Sequence, residues 1–242
     1  MTGDAATILQ GMNLDLAHFD AVIVDLDGTL VDTLGDFTAA LNAMLADLAL
    51  PAVDAGVVET MVGKGSEHLV RSVLRHLRAS DALYDQAFDD YQRHYGVVNG
   101  LHSKVYPGAV EGLRLLRDRR LRLACLTNKP TDFARQLLTS KRLDVFFDPV
   151  FGGDAFERKK PDPLPLLKTC EALGSRPGRT LMIGDSSNDA RAARAAGCPV
   201  VLVTYGYNHG EPVQEVDADG FLDSLARLDS WTSPVGAARG LG

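Results

Sequence analysis

Short apolar runs constrain this chain more than anything else in it: DAVIVDL at 20–26, LRLACLT at 121–127, RTLMIG at 179–184 and PVVLVT at 199–204, with a shorter candidate, PVFG, at 149–152. Each is rich in aliphatic and β-branched residues and apolar through its middle, as expected of a strand buried on both faces. Between them the apolar spacing is helical, over 109–118, 131–141, 163–173 and 187–196. Buried strands alternating with helices specify a parallel sheet inside a doubly wound α/β layer.

The alternation breaks once. Residues 35–49, 54–62, 66–78 and 80–95 all show helical spacing, with no strand among them. Ser80 or Asp81 is a plausible cap for the last. Pro51 stops the first of these helices. The expectation is therefore a catalytic α/β core of residues 1–34 and 101–242, with an all-helical cap domain, 35–100, inserted after the first strand. GTLVDT on one side and VYPG on the other would be the hinges. The last dozen residues are small and Gly-rich and are expected to fray.

Composition excludes several classes of function. The 242 residues are 45% hydrophobic and 24% charged, ordinary for a globular protein with a substantial core. The formal net charge of −7 and the lack of any Lys/Arg block argue against nucleic acid as a partner. No apolar run is long enough to cross a bilayer, and the first twenty residues lack a basic start and an apolar segment. A cytoplasmic monomer or homodimer, with no membrane partner, is expected. Cys125, Cys170 and Cys198 are far apart in sequence and odd in number, so they are expected to be reduced, mostly buried thiols.

Ligands of open α/β sheets sit beyond the carboxyl ends of the strands. The first strand ends on Asp25-Leu26-Asp27-Gly28-Thr29, and the next on Thr127-Asn128-Lys129. A third region leads to Lys159-Lys160-Pro161, and the next strand ends on Gly184-Asp185-Ser186-Ser187-Asn188-Asp189. Asp25 and Asp185, with Asp189 nearby, supply hard oxygen ligands suited to Mg²⁺. No His/Cys cluster suggests zinc. Lys160 brings a fixed positive charge, Thr127 a hydroxyl, and the backbone N–H groups at Asn128 and in the Gly28-Thr29 turn further donors. Together they would cradle a phosphoryl group.

No Ser or Cys has a His base beside it. A carboxylate needs none, and Asp25, first after the strand, is placed to attack phosphorus and form an aspartyl-phosphate. Asp27 would protonate the leaving oxygen and then activate water. That role wants a raised pKa, which a neighbouring carboxylate favours.

DLDGT, Thr127-Asn128, Lys160-Pro161 and GDSSND, in this order, resemble the four motifs of the haloacid dehalogenase superfamily, and the resemblance covers nearly the whole chain. It implies a Rossmann-like core, Mg²⁺ and an aspartyl-phosphate intermediate. By the same resemblance Asp25 is both nucleophile and metal ligand. Asp27 is the acid/base and gives its backbone carbonyl to the metal. Asp185 is the third protein ligand, and Asp189 contacts the metal from behind or through water. An acid at position 27 argues against the dehalogenase branch.

Three segments, VGKGSEHLVRSVL, FGGDAFERKKPDPLPLL and VTYGYNHGEP, are similar to the phosphoglycolate phosphatase branch. The substrate it implies, 2-phosphoglycolate, is a small phosphate ester carrying a carboxylate. Gly63-Lys64-Gly65 is the candidate loop for that carboxylate, with Lys64 as its charge; the same residues also read as a simple helix-start turn. Other readings stay open: a phosphatase for another small metabolite, a pyrophosphatase, a sugar phosphomutase, or a non-catalytic binding protein. His209 reads as a loop residue or a site residue, Lys159 as a solvated neighbour of Lys160 unless the register exchanges the two, and Arg191 and Arg194 as a solvated helix face. Trp231 and Phe221 are expected to pack the C-terminal segment on the core.

Overall fold

The computed structural model describes residues 15–229. Six strands, β1 (Ala21–Val24), β4 (Arg122–Leu126), β5 (Val150–Phe151), β6 (Thr180–Gly184), β7 (Val200–Val203) and β8 (Gly220–Leu222), form one parallel sheet in the order β5-β4-β1-β6-β7-β8. The chain fills one side of β1 with β4 and β5, then crosses to place β6, β7 and β8 on the other. The carboxyl end of β1 is thus the topological switch point, where a crevice opens between neighbouring loops.

Successive residues of each strand feed opposite layers. Val22, Val24, Leu123, Cys125, Leu181 and Ile183 pack with α5 (Ala109–Asp118) and α6 (Thr131–Ser140). Ala21, Ile23, Ala124, Leu126 and Met182 pack with α7 (Leu164–Ala172) and α8 (Ser187–Ala196). Two apolar layers explain why these strands carry no polar alternation. The doubly wound Rossmann-like core is the one read from the sequence, with β8 as an additional edge strand.

Between β1 and α5 lie α1 (Leu34–Asp47), α2 (Ala55–Glu59), α3 (Ser66–His76) and α4 (Tyr84–Val98). They bury an apolar cluster of their own, including Leu41, Met44, Val70, Val73, Tyr91 and Tyr95. The helix expected over 80–95 begins instead as a 3₁₀ turn, Asp81–Leu83, capped by the Ser80 hydroxyl, and α4 runs on to Val98. The chain enters and leaves this helical insert through a two-stranded antiparallel ribbon of β2 (Val31–Asp32) and β3 (Lys104–Val105). Buried Asp36 ties the two crossings together by accepting from Gly100 N–H at 2.8 Å and His102 N–H at 2.6 Å. A Cβ on Gly35 would lie 2.8 Å from the His102 carbonyl oxygen, so the crossing is too close for a side chain there.

Several surface readings change. Arg194 is not simply solvated: it holds Asp219 through two 2.8 Å contacts and Asp217 at 3.1 Å, tying α8 to the lead-in of β8. Arg191 is exposed. Cys170 and Cys198, distant in sequence, meet with their sulfurs 3.9 Å apart as free, buried thiols. Phe221 packs against the α7–α8 layer, whereas Trp231 and the final segment lie outside the described residues. Among the described residues no helix is long and apolar enough to cross a membrane.

Candidate active site

The end of β1 delivers the first carboxylate. Asp25 N–H continues the ladder to the Ile183 carbonyl, and Asp25 Oδ1 accepts from Leu26 N–H at 2.8 Å and lies 3.0 Å from Lys160 Nζ. One residue past β6, Asp185 follows Gly184, and Ser186 caps α8 through a reciprocal box with Asp189. That box fixes the third carboxylate. Asp189 Oδ1 accepts from Lys160 Nζ at 2.6 Å, while its Oδ2 accepts from Ser186 Oγ at 2.9 Å and from the N–H groups of Ser186 and Asp185. A Cβ at position 184 would fall 2.3 Å from Asp189 Cγ, which is why a glycine precedes Asp185.

Asp185 is held from the other side. Tyr207 N–H donates to its Oδ2 at 2.6 Å and Thr29 Oγ1 to its Oδ1 at 3.3 Å. Gly28, at φ +83°, turns the chain so tightly against it that a Cβ would stand 2.0 Å from Asp185 Oδ2. Gly28 and fully buried Thr29 therefore support Asp185. Thr29, expected in the phosphate cradle, has no surface to offer a substrate.

Asp25, Asp185 and Asp189 bring carboxylate oxygens within 4.8 Å of one another, all buried. Burial pushes the Asp25 carboxyl up to about 7; Lys160 opposes the rise, and the Asp189 charge adds to it. Burial, then Asp189 and Asp25, drive Asp185 well above the carboxylate range. Burial works against the Lys160 ammonium, but Asp189 and Asp25 outweigh it and its pKa is raised. The cluster thus carries more negative charge than its one lysine relieves, in an all-oxygen donor set. That is the environment a hard divalent cation relieves. The residues fit such an ion, with Asp25 and Asp185 the less occupied carboxylates and Asp189 committed to Lys160 and the α8 cap.

Asn128 fixes Lys160: its Oδ1 accepts from Lys160 N–H at 3.0 Å and its Nδ2 donates to the Lys160 carbonyl at 2.8 Å. The same Nδ2 reaches the Gly63 carbonyl at 2.9 Å, and Asn188 Nδ2 donates to that carbonyl too, at 3.1 Å. Two core asparagines thereby grip the loop that begins α3. Gly63 and Gly65 both have positive φ, and Gly65 is the N-cap of α3, so the GKG stretch is a helix-start turn. Lys64 between them is exposed and does not line the cavity described below. His209 packs on the same loop, its Nε2 3.3 Å from Asn188 Nδ2. Lys159 is not merely solvated, since its Nζ meets Glu67 of α3 at 2.7 Å.

Two participants carried no assigned role in the sequence. Lys129 Nζ lies 2.8 Å from Asp27 Oδ1, so the nearest charged partner of Asp27 is a cation rather than the carboxylate expected. Lys129 stands directly after Thr127-Asn128 at a strand end, but nothing in the spacing pairs it with a residue 102 positions away. Tyr207 lies in the VTYGYNHGEP stretch, and its contact with Asp185 comes from a backbone group that no side-chain pattern announces.

Above the β1 and β4 ends lies a small cavity, with about 40 Å³ open to the centre of a water molecule. Asp25, Asp27, Thr127 and Lys129 form its polar floor, and Phe37, Leu69, Tyr91 and Tyr95 of the helical insert its roof.

Comparison with known proteins agrees with this geometry. Residues 19–197 match the family model of haloacid dehalogenase-like hydrolases. The chain is 45% identical to a phosphoglycolate phosphatase of Thiobacillus denitrificans over 85% of its own length and 92% of that protein. It is 44% identical to one from Nitrosospira multiformis over 85% and 92%. The structure of a predicted phosphoglycolate phosphatase from Haemophilus somnus superposes with a TM-score of 0.83 at 32% identity, covering 89% of this chain and 99% of that one. The motif order, the switch-point carboxylates and these likenesses lead to one conclusion: the chain belongs to the haloacid dehalogenase-like hydrolases.

Proposed function

We propose that the protein hydrolyses 2-phosphoglycolate to glycolate and phosphate with Mg²⁺. The observation that carries the reading is the small cavity whose floor holds Asp25 and Asp27 and whose roof is the helical insert. It suits a compact phosphate ester. The names of the relatives support the same substrate.

Asp25 and Asp185 would hold Mg²⁺, with Asp189 behind them and the Asp27 backbone carbonyl as a further donor. When bound, the ion supplies charge neutralisation that lets the buried carboxylates and a phosphoryl group share one site. Donors converge on Asp25 Oδ1. Oδ2 is the oxygen left to attack phosphorus, forming an aspartyl-phosphate as the P–O bond to glycolate breaks. Asp27 gives the departing oxygen its proton. It then takes a proton from the water that cleaves the acyl phosphate. Lys160 keeps Asp25 oriented, and Thr127 and the Asn128 N–H face the phosphoryl oxygens. Residues 35–100 serve as a cap that excludes bulk water while the intermediate exists, and its opening admits substrate.

A panel of small phosphorylated metabolites tests this. Mg²⁺-dependent phosphate release should favour 2-phosphoglycolate over phosphoserine, sugar phosphates and nucleotides, and should vanish in Asp25→Asn. Retained turnover in that variant would overturn the nucleophile.

A further inference from the structure

Lys129 is a buried cation that the phosphoryl chemistry above leaves unused. Its side chain is 2% exposed. Nζ lies 2.8 and 3.1 Å from the two Asp27 oxygens and sits over the rings of Phe37 and Tyr95, 4.6 and 4.8 Å from their centroids. Phe37 belongs to α1 and Tyr95 to α4, so the ammonium stands where the sheet edge meets the helical insert. An ammonium has three donors, and the Asp27 carboxylate does not use them all.

A second observation points to a ligand. Tyr95 lines the same cavity, and its buried hydroxyl has no hydrogen-bond partner among the described residues. A buried hydroxyl left unpaired costs free energy, and such groups call for a partner the protein itself does not supply. Lys129, with a spare donor, and Tyr95, whose hydroxyl is unsatisfied, both line one cavity whose roof is otherwise largely apolar. That pairing suits a carboxylate on a small ligand. Lys64, the cation expected for this task, is exposed and outside the cavity lining.

We propose that Lys129, together with Tyr95, determines specificity by taking the carboxylate of the substrate. The inference rests on reading the substrate as a small carboxylated phosphomonoester. It moves the carboxylate contact from the GKG loop to the wall between β4 and α4. Lys129 also touches Asp27, so its loss disturbs the acid as well. Two substrates that need the same acid separate the effects.

The test measures kcat/KM for 2-phosphoglycolate and for its uncharged primary amide, in wild type and in the Lys129→Met, Tyr95→Phe and Lys64→Ala variants. Wild type prefers the acid. Lys129→Met cuts that preference about 10–100-fold, the range for a hydrogen bond to a charged group, with much of the change in KM. Tyr95→Phe cuts it several-fold, and Lys64→Ala leaves it unchanged. If Lys129→Met and Tyr95→Phe slow both substrates equally while wild type prefers the acid, the pair is structural: the proposal fails and the substrate reading stands. If wild type shows no preference, the substrate reading fails and the proposal with it. A preference lost in Lys64→Ala also overturns it. Should Lys129→Met not fold, Tyr95→Phe, which keeps the ring and removes one oxygen, decides by the same ratio.

Discussion

Tyr207 reaches Asp185 with one end and the mouth of the helical insert with the other. Its N–H donates to Asp185 Oδ2 at 2.6 Å, and its hydroxyl accepts from Thr33 N–H at 2.9 Å and Leu34 N–H at 3.1 Å while donating to Asp32. One residue therefore links the carboxylate cluster to the strand and helix through which the chain enters the insert. Removing the hydroxyl in Tyr207→Phe keeps the ring but strips a shared partner from two N–H groups. The expected loss of stability is about 1–3 kcal/mol. Urea unfolding measures it, and a change near zero would mean that water replaces the hydroxyl.

The buried carboxylates make the metal-free protein sensitive to pH. In the folded chain Asp25 keeps its proton up to about 7, whereas its ordinary value is 3.8, and Asp185 is shifted in the same direction. Between those values the folded state binds more protons than the unfolded state, so stability falls as pH rises and the full cost is reached above the folded value. The Tm of EDTA-treated protein should decline from about pH 5 to about pH 8. Mg²⁺ binds the deprotonated carboxylates, so it should raise Tm more at the upper pH than at the lower. A metal-free Tm that climbs across this interval would contradict the burial argument.

Gly28→Ala places a methyl 2.0 Å from Asp185 Oδ2 at a φ of +83°. Either Asp185 moves or the turn opens. Positive φ on a non-glycine residue costs about 1–3 kcal/mol, and displacing Asp185 should weaken Mg²⁺ by about 10–100-fold, the range for disturbing the support of a metal ligand. Titrating activity and Tm with Mg²⁺ reports both effects. An unchanged Mg²⁺ dependence would remove Asp185 from the metal site.

Lys160→Met should be costly in a way that its double variant is not. It leaves Asp189 and Asp25 buried without the ammonium that holds them at 2.6 and 3.0 Å. Removing one partner of a buried ion pair costs about 3–5 kcal/mol. Adding Asp189→Leu deletes the orphaned charge and should recover part of that stability while activity stays lost. Denaturant midpoints of the single and double variants check this, and no recovery would show that packing dominates.

Asn188→Ala withdraws one of the two amides that grip the Gly63 carbonyl. Asn128 still holds it, so the loss should be modest, about 1 kcal/mol. Amide exchange over residues 62–66 should quicken relative to the sheet. Unaltered exchange there would assign the grip to Asn128 alone.

The sheet was legible because strands packed between two helical layers must be apolar on both faces, and β1, β4, β6 and β7 are. β8 escaped notice because Gly220–Leu222 is short and lies at the sheet edge. The helices of the insert were visible in their spacing, but the β2–β3 ribbon was not: two-residue strands carry no period.

Sequence by itself determined which carboxylates gather. Asp25 and Asp185 follow apolar strands directly, with Asp27 two residues past Asp25, and parallel strands in one sheet must bring their carboxyl ends to one edge. Tertiary structure alone decided what each carboxylate touches. Lys129 meets Asp27, Tyr207 meets Asp185, and Thr29 turns inward to support Asp185 rather than outward to a ligand. It also decided that exposed Lys64 does not line the cavity while Lys129 lies over the aromatic rings of α1 and α4. Periodicity governs which face of an element is buried. The partner of a polar side chain at a loop tip is set by how separate segments pack, and no local pattern encodes that.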